Sequence, residues 1–355
     1  MSKVEELLAK YNPNGVFQSD LREVSSIIRG KRVTKRDVKE RGDYPVISGG
    51  ESPMGYYDTF NRDANTITIA QYGAAGYVDF QKNKFWANDV CYSILPFESV
   101  DNKYLYYTLK SKQNFIYSIR NTDAVPFSLP INTLYSIQIP LPHIKVQEEI
   151  VKILDSFTNL IDALNEELSL RQKQFEYYRE KLLTFDDNTN MQKICNFATI
   201  QSGKNKEKTD NGQFPLFGST GLISRTNISV YEGDYILIAR VGANAGFTYR
   251  VNGKFDVSDN TLIVTIIKNN TINIDYLYHC LIEQNLNKYA KGGGQPLVTS
   301  GELKNISIPI PSLAIQKSIV EKLDAFESLI SSLKEEIALR QKQYEYYREK
   351  LLTFD

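Results

Sequence analysis

The sequence predicts an α+β protein in which two globular domains are separated by two long, antiparallel coiled-coil helices with pseudo-two-fold symmetry. Two observations carry this prediction. The chain repeats itself at an offset of 169 residues, and the best-matched part of each copy has the apolar spacing of a long helix. The less well-matched parts contain short β-prone runs separated by Gly and Asn turns, as expected of globules built from strands and short helices.

The repeat is strongest at the end of each copy. Residues 170–186 read LRQKQFEYYREKLLTFD and residues 339–355 read LRQKQYEYYREKLLTFD, so that only one position differs. Upstream the match weakens but persists: IAQYGAAGYVDF at 69–80 corresponds to IARVGANAGFTYR at 238–250. Divergent first parts and near-identical second parts indicate that the two globules contact different targets, whereas the two helices contact the same kind of target twice.

This contrast divides the chain into four segments, a globule and a helical spacer followed by their second copies. The segments are 1–141, 142–186, 187–310 and 311–355. Within the globules, the apolar runs with the clearest strand character lie at 66–72, 90–96, 235–241 and 261–267. Shorter helices are expected at 103–118 and 275–290.

Each helical spacer has an apolar residue at alternating intervals of four and three positions. These residues are Ile150, Leu154, Phe157, Ile161, Leu164 and Leu168 in the first copy, and Ile319, Leu323, Phe326, Ile330, Leu333 and Ile337 in the second. A heptad seam of this length predicts that the two helices pair with each other. One arginine interrupts each seam, Arg171 and Arg340. Such an arginine either fixes the register of the pair or extends its charged head to solvent.

Basic and acidic residues balance over the whole chain, 42 against 42, but not along it. Outside the helical spacers there are 29 basic and 25 acidic residues, and seven of the basic ones lie between positions 29 and 41. This segment is either a solvated loop or a phosphate-binding patch, and a basic cluster at the matching place of the second copy favours the patch. The candidate phosphate contacts are Arg29, Lys31, Arg32, Lys35, Arg36, Lys204, Lys206 and Lys208.

The loop that follows the central strand of each globule is the candidate for reading bases. It carries Gln71, Tyr72 and Gly73 in the first copy, and Arg240, Val241 and Gly242 in the second. Glutamine suits the edge of adenine in the major groove, and arginine suits the edge of guanine. An ordinary tight turn between strands is the alternative interpretation. Gln71, Tyr72 and Arg240 are therefore candidate DNA contacts.

No arrangement of residues in the sequence indicates catalysis. A phosphate-cradling G-x-x-x-x-G-K-[ST] loop, a D/N-P-P-Y/F motif and a Gly-rich cofactor loop are all absent. His143 and His279 do not recur in the other copy, and the three cysteines lie far apart, so neither a metal site nor a disulfide is expected. No apolar run reaches the roughly 18–20 residues of a membrane span, and the acidic beginning is unlike a secretory signal. We expect a non-catalytic, cytoplasmic protein that binds no cofactor itself.

The layout of the whole chain resembles the specificity subunits of type I restriction–modification systems. The strongest marks are GGGQPLVTSGELKNISIPIPSLAIQKSIVEKLDAF at 292–326 and PFSLPINTLYSIQIPLPHIKVQEEIVKILDSF at 126–157, each followed by the RQKQ-YYREKLL helix. The first copy departs from the second just before its helix, with NTDAVPFSL in place of KGGGQPLVT. By this resemblance each globule is a target-recognition domain that reads one half of a split, asymmetric site in double-stranded DNA.

The resemblance also implies partners. The two helices act as a ruler for the spacer, and each docks one modification (methyltransferase) subunit that carries S-adenosylmethionine and methylates adenine at N6. Restriction subunits supply ATP- and Mg²⁺-dependent translocation and cleavage. Three other interpretations compete: a coiled-coil scaffold that binds only proteins, an autonomous methyltransferase or nuclease, and a related single-chain enzyme. Matched basic loops disfavour the first, the missing motifs disfavour the second, and the chain length disfavours the third.

Overall fold

A computed structural model describes residues 2–123, 125–186, 189–204, 209, 211–268 and 270–354. By contacts the chain divides into two compact units. The first unit is Met1–Leu164 together with Glu336–Asp355, and the second unit is Asn165–Glu335. Each unit therefore contains one of the predicted globules and a part of each long helix. The predicted α+β class, with two repeated globules and two long helices, is confirmed.

The two predicted long helices are present, and each has 40 residues. The first long helix is Ile144–Leu183 and the second long helix is Leu313–Leu352. At about 1.5 Å per residue, each helix is about 60 Å long. Each begins two residues after a proline, Pro142 or Pro311, and contains neither Gly nor Pro. Among the described residues, none of the helices combines the length and the apolar character that crossing a membrane requires.

A four-stranded antiparallel sheet forms the core of the first unit. In spatial order its strands are Ser25–Arg29, Cys91–Pro96, Thr66–Ala70 and Val78–Gln81. All five residues of Thr66–Ala70 are buried, as expected of an interior strand that is covered on both faces. Helix Asn102–Ser111 packs on this sheet and contributes Tyr104 and Leu105 to the core.

Smaller elements complete the first unit. A three-stranded sheet consists of Tyr56–Tyr57, Tyr44–Ile47 and Trp86–Ala87, and a separate antiparallel pair consists of Phe17–Asp20 and Gln138–Leu141. The remaining helices are Lys3–Tyr11, Leu21–Val24, Gln113–Ser118 and Ile131–Tyr135. The antiparallel pair brings the beginning of the globule next to its end, so that the globule closes just before the first long helix.

The second unit repeats this topology. Its large antiparallel sheet has the strands Ala198–Ser202, Thr261–Ile266, Tyr235–Ala239 and Thr248–Val251, in the same order as their counterparts. The second sheet gains a strand and contains Gly221–Thr226, Phe214–Gly218, Lys254–Val257 and Tyr231–Glu232. Met191–Lys193 pairs with Ser307–Pro309. The helices are Ile274–Glu283 and Ser300–Leu303, with 3₁₀ turns at Ile194–Asn196 and Leu286–Tyr289.

These bounds confirm the strands and short helices expected from the sequence. The four predicted strands are present and end within two residues of the expected positions. The helix expected at 103–118 is divided into two helices, and the one expected at 275–290 is an α-helix followed by a 3₁₀ turn. Short apolar runs and turn residues were therefore sufficient to predict these elements.

In each unit the long-helix segments pack against each other through the predicted seam. In the first unit, Phe157 of the first long helix stacks on Tyr347 of the second, with 5.3 Å between ring centroids. In the second unit, Tyr178 of the first long helix stacks on Phe326 of the second at 5.5 Å. The beginning of each long helix thus meets the end of the other, which is antiparallel pairing.

The arginine within each seam binds side chains of its own helix and is partly exposed. Arg171 Nε is 3.4 Å from Glu167 Oε1, and Arg171 Nη1 donates to Gln174 Oε1 at 3.1 Å. Arg340 Nε donates to Glu336 Oε1 at 2.7 Å. Both arginine side chains are more than one-third exposed. Of the two interpretations, the structure supports the one in which the charged head reaches solvent.

A buried glutamine joins each globule to the beginning of a long helix. Gln147 Oε1 accepts the N–H of Asp101 at 2.8 Å, and Gln316 Oε1 accepts the N–H of Asn273 at 2.8 Å. Both glutamines donate from Nε2 to the carbonyl of the proline that precedes their helix. Neither residue is exposed. Because both glutamines are buried and the groups that they bind are at least partly buried, each glutamine supplies backbone atoms with a hydrogen-bond partner inside the protein.

We expect Gln147→Ala or Gln316→Ala to destabilise its own unit by about 1–3 kcal/mol, because buried backbone groups lose their partners. Chemical denaturation followed by hydrogen exchange of the two units would measure the loss and locate it. Gln172→Ala, at an exposed position of the first long helix, is the control. If Gln147→Ala unfolded at the same denaturant concentration as Gln172→Ala, the joining role of the glutamine would be wrong.

Candidate nucleic-acid interface

The basic segment 29–41 of the first unit is a surface loop whose backbone is held from inside the protein. Asn88 is buried, accepts the N–H of Val33 at 3.0 Å and donates to the carbonyl of Val33 at 3.2 Å. Trp86 Nε1 donates to the carbonyl of Lys31 at 2.8 Å. Because these hydrogen bonds hold the loop backbone at Lys31 and Val33, the backbone positions from which the basic side chains extend are fixed.

The five basic candidates in this loop all reach the surface. Arg29 ends the first strand of the large sheet, and its guanidinium lies over the ring of Tyr92 at 5.7 Å. Arg32 lies 4.0 Å from Asp89, yet its side chain remains 78% exposed. The other three candidates are also exposed: Lys31, Lys35 and Arg36. Their arrangement fits contact with the phosphates of a nucleic acid.

The second unit places a basic residue at the corresponding position. Gly30 and Gly203 both follow the first strand of their large sheet, and a Cβ on either would come within 2.3 Å of a backbone carbonyl oxygen. Only glycine fits such an approach, so the two sites are structural equivalents. Lys31 and Lys204 come next in each copy, and both are exposed. Two further candidates lie outside the described residues, Lys206 and Lys208.

The candidate base-reading residue of the first unit, Gln71, is buried. Its N–H donates to the carbonyl of Val90 at 2.8 Å, and its carbonyl accepts the N–H of Leu129 at 2.9 Å. The residue is only 5% exposed, so its side chain is not a surface group in this conformation. The adjacent Tyr72 is 38% exposed. The placement therefore supports Tyr72 as a surface residue and lends no support to base reading by Gln71.

Arg240 occupies the equivalent position in the second unit. Its N–H donates to the carbonyl of Asn260 at 2.9 Å, and its carbonyl accepts the N–H of Val298 at 2.8 Å, as in the first copy. The side chain is half-buried, and Nη1 donates to the carbonyl of Asp259 at 3.2 Å. The same backbone position thus carries a buried amide in one unit and a partly exposed guanidinium in the other.

Two residues that support the basic loop were missed by the sequence analysis, Asn88 and Arg62. Arg62 donates from Nε to Ser93 Oγ at 2.9 Å and from Nη2 to the carbonyl of Arg29 at 2.8 Å. The loop groups that these two residues bind lie 55 and 33 positions away in sequence. In the sequence, Asn88 is an asparagine that follows a strand, and Arg62 has no distinguishing pattern. Neither feature identifies the loop groups that these residues bind.

A polar cluster in the second unit joins helix Ile274–Glu283 to the second long helix. Arg250 Nη1 is 3.0 Å from Asp324 Oδ1, and Arg250 Nη2 is 2.6 Å from Glu327 Oε2. His279 Nε2 is 3.0 Å from the same Asp324 oxygen. In the first unit the matching joint is simpler, because the hydroxyl of Tyr107 donates to Asp155 at 2.7 Å.

The polar cluster contains a possible set of metal ligands. One ligand atom each from His279, Asp324 and Glu327 lie within 4.8 Å of one another. Both carboxylates, however, are already paired with the guanidinium of Arg250, which supplies the positive charge that a metal ion would supply. Burial lowers the pKa of His279 below the usual 6.5, although the hydrogen bond to Asp324 opposes this. The cluster is therefore an ion-pair network centred on Arg250, in which burial favours the neutral form of His279.

Comparison with known proteins agrees with this architecture. The sequence pattern described as the type I restriction modification DNA specificity domain matches twice, at residues 13–170 and 188–339. A putative type I restriction enzyme specificity subunit of Haemophilus influenzae is 32% identical over 371 residues, which cover 94% of each chain. The specificity subunit of the Escherichia coli type I restriction enzyme EcoR124I/EcoR124II is 31% identical over 71% of this chain and 70% of its own.

Solved structures show the same fold. The crystal structure of a type I restriction–modification S subunit from M. genitalium covers 95% of this chain and 96% of its own, with a TM-score of 0.75 at 19% identity. A second structure, from work on complex assembly and conformational transition of the type I R-M system, covers 96% of this chain and 98% of its own, with a TM-score of 0.53 at 15% identity. At these identities the likeness establishes the fold.

Two globules of one topology, each followed by a long helix, define a class of protein that carries a duplicated recognition module. Each globule of this chain presents its own set of loop residues, whereas the last parts of the long helices, 170–183 and 339–352, differ at one position. Because both copies match the family pattern and together cover most of the chain, the protein belongs to the type I restriction–modification DNA specificity family.

We expect the second unit to lose stability as the pH falls below about 6.5. The folded pKa of His279 lies below that of the unfolded chain, so acid protonates the unfolded chain first and favours it. His279→Tyr, which copies Tyr107 of the first unit, should make the melting temperature less sensitive to acid between pH 7.5 and 5.5. His143→Gln, at an exposed position, is the control. Equal acid sensitivity of wild type and His279→Tyr would contradict this assignment.

Proposed function

We propose that this chain reads a bipartite, asymmetric DNA site and positions the methyltransferase subunits of a type I restriction–modification complex on it. One observation carries the proposal: a single fold occurs twice, with divergent surface loops, on two long helices whose last parts, 170–183 and 339–352, differ at one position. Its relatives are named specificity subunits, and such a subunit selects the DNA sequence for its complex. The held basic loop of the first unit and the exposed Lys204 at the matching place of the second unit support contact with the phosphate backbone.

The asymmetry of the site follows from differences between matched positions. The loop after the central strand has Tyr72 in the first unit and Val241 in the second, although both follow a residue with equivalent backbone hydrogen bonds. In contrast, Lys31 and Lys204 are both lysines and occupy equivalent positions in the two units. Phosphates are the same at every DNA site, whereas base edges differ. Basic residues that recur in both units, beside loop residues that differ between the units, therefore favour two different half-sites.

Apolar residues on the outer face of the long helices support the assignment of partners. Leu170 and Tyr177 of the first long helix are 59% and 57% exposed, and the matching Leu339 and Tyr346 of the second are 62% and 60% exposed. Each pair is seven residues apart and so lies on one side of its helix. An exposed apolar patch is typical of a protein interface, and its exact recurrence suits two copies of one partner.

The chemistry of the complex then belongs to its other subunits. In this proposal the chain binds no cofactor, and the modification subunits carry S-adenosylmethionine and methylate adenine at N6. Restriction subunits, where they join the complex, use ATP and Mg²⁺. The basic loops disfavour the alternative of a scaffold that binds only proteins, because such a scaffold has no use for matched cationic residues at the same place in both globules.

Methylome sequencing tests the proposed function directly. Cells that express this chain with its methyltransferase subunit should acquire N6-methyladenine within one motif, made of two unlike half-sites separated by a fixed gap. Cells that express the methyltransferase subunit alone are the control and should lack the motif. Absence of a motif would support the protein-only scaffold, and a palindromic motif would contradict the assignment of different half-sites.

The patches on the long helices yield a separate prediction. Leu170→Glu with Tyr177→Glu should release one methyltransferase subunit, and adding Leu339→Glu with Tyr346→Glu should release both, as measured by native mass spectrometry. Each patch should lose affinity by roughly 30-fold or more, because an anchor residue of an interface contributes about 2 kcal/mol or more.

The matched control for the docking patches lies on another side of the same helices. Glu176 and Glu345 are exposed and are six residues from Leu170 and Leu339, about 120° around each helix. Glu176→Ala with Glu345→Ala should leave both methyltransferase subunits bound. Retention of two subunits by the fourfold Glu variant, with unchanged helical content, would exclude these patches as docking surfaces.

A further inference from the structure

Arg120 of the first unit is clamped between two aromatic rings. Its guanidinium carbon lies 5.1 Å from the centroid of the Tyr117 ring and 4.8 Å from that of Phe127. Aromatic faces attract a guanidinium and hold its plane in a fixed orientation. The clamp lies just after helix Gln113–Ser118, where the chain leaves the core and enters a surface loop.

Among the described residues, none accepts a hydrogen bond from Nε of the clamped guanidinium. Arg120 Nε is buried, and it makes no hydrogen bond within the described part of the chain. Arg62 of the same unit shows the contrast, because its Nε, Nη1 and Nη2 all donate to protein oxygens. A charged donor without an acceptor is costly. The cost is offset if an external group with strong acceptors completes the site.

The loop that carries the clamp lies beside the candidate base-reading loop. Asn121 and Ser128 exchange two backbone hydrogen bonds, at 2.7 and 3.1 Å, which close the loop at its base. Ser128 also forms a bridge with Tyr72. At the other end of the loop Val125 is 97% exposed. Arg120, the exposed Tyr72 and the apolar loop tip at Val125 therefore belong to one surface of the first unit.

The second unit has the same loop without the clamp. Lys291 and Leu297 exchange two backbone hydrogen bonds, at 2.9 and 2.8 Å, and Leu297 forms a bridge with Val241. These bonds match Leu297 to Ser128 and Lys291 to Asn121. The residues that precede them are Ala290 and Pro296, which take the places of Arg120 and Phe127. The arginine and one of its two rings are thus specific to the first unit.

We propose that Arg120 is a specificity-determining residue that recognises a guanine in the half-site bound by the first unit. The inference rests on the proposed function and deepens it. An arginine fork pairs with O6 and N7 of guanine, and a clamped guanidinium has already lost the freedom that this pairing removes. A residue that contacts phosphate would be expected in both units, as lysine is at the equivalent positions 31 and 204. Arg120 occurs in only one unit, which suits a base reader.

The test uses the complex of this chain with its methyltransferase subunits and a library of duplexes randomised in both half-sites. The wild-type complex should prefer guanine at one position of one half-site. Arg120→Ala should reduce that preference by about 5- to 150-fold, the range for loss of a bidentate base contact. Arg120→Lys should lose the same preference while the salt dependence of binding stays unchanged, because lysine keeps the charge but not the fork.

A matched control and the contradicting outcomes complete the design. Lys291→Ala, at the equivalent bridge of the second unit, should leave the guanine preference intact. Uniform weakening on all sequences by Arg120→Ala, with a shallower salt dependence, would identify a phosphate contact and overturn the proposal, and so would an unaltered guanine preference. A wild-type complex without any sequence preference would instead contradict the proposed function. Matching melting temperatures of variants and wild type would show that folding is unaffected.

Discussion

Burial of one apolar seam, present twice in the chain, is the constraint on which the structure depends. Most of the stability of an amphipathic helix in a protein comes from packing of its apolar stripe, and the two 40-residue helices pack their stripes against each other. In the first unit, Ile150 and Leu154 belong to the same hydrophobic core as Tyr104 of the globule. In the second unit, Leu323 does the same with Tyr276. Globule and helix therefore stabilise each other through a shared core.

Comparison of the two copies distinguishes residues that stabilise the shared fold from surface residues that differ between the copies. The hydroxyls of Tyr104 and Tyr276 both donate to a proline carbonyl that precedes a long helix, at 2.9 and 3.0 Å. Tyr107 and His279, which occupy one position in the two copies, bind equivalent aspartates with different chemistry. The anchors are the same in both copies because the fold requires them, whereas surface residues such as Arg120 differ between the copies because no buried partner constrains them.

Features that depend on neighbours in sequence were predicted well. Heptad spacing predicted both long helices and their pairing, and strand runs such as Thr66–Ala70 were placed within two residues. The internal repeat predicted that both units share one topology. Features that depend on distant residues were not predicted. Gln71 was predicted to be a candidate DNA contact, yet the residue is only 5% exposed, and its backbone binds the carbonyl of Val90 and the N–H of Leu129, which are distant in sequence.

The sequence by itself determined the duplication, the helical seam and the presence of two divergent globules, since periodicity and internal repetition are properties of the chain alone. Only the tertiary structure decided which polar groups are free to meet a partner. Arg62 and Arg120 are both single arginines without a distinguishing sequence pattern. Protein oxygens accept the hydrogen bonds of Arg62, whereas two aromatic rings hold Arg120 and its Nε has no acceptor among the described residues. Exposure and satisfaction of a side chain depend on residues brought close by folding, so no local pattern reveals them.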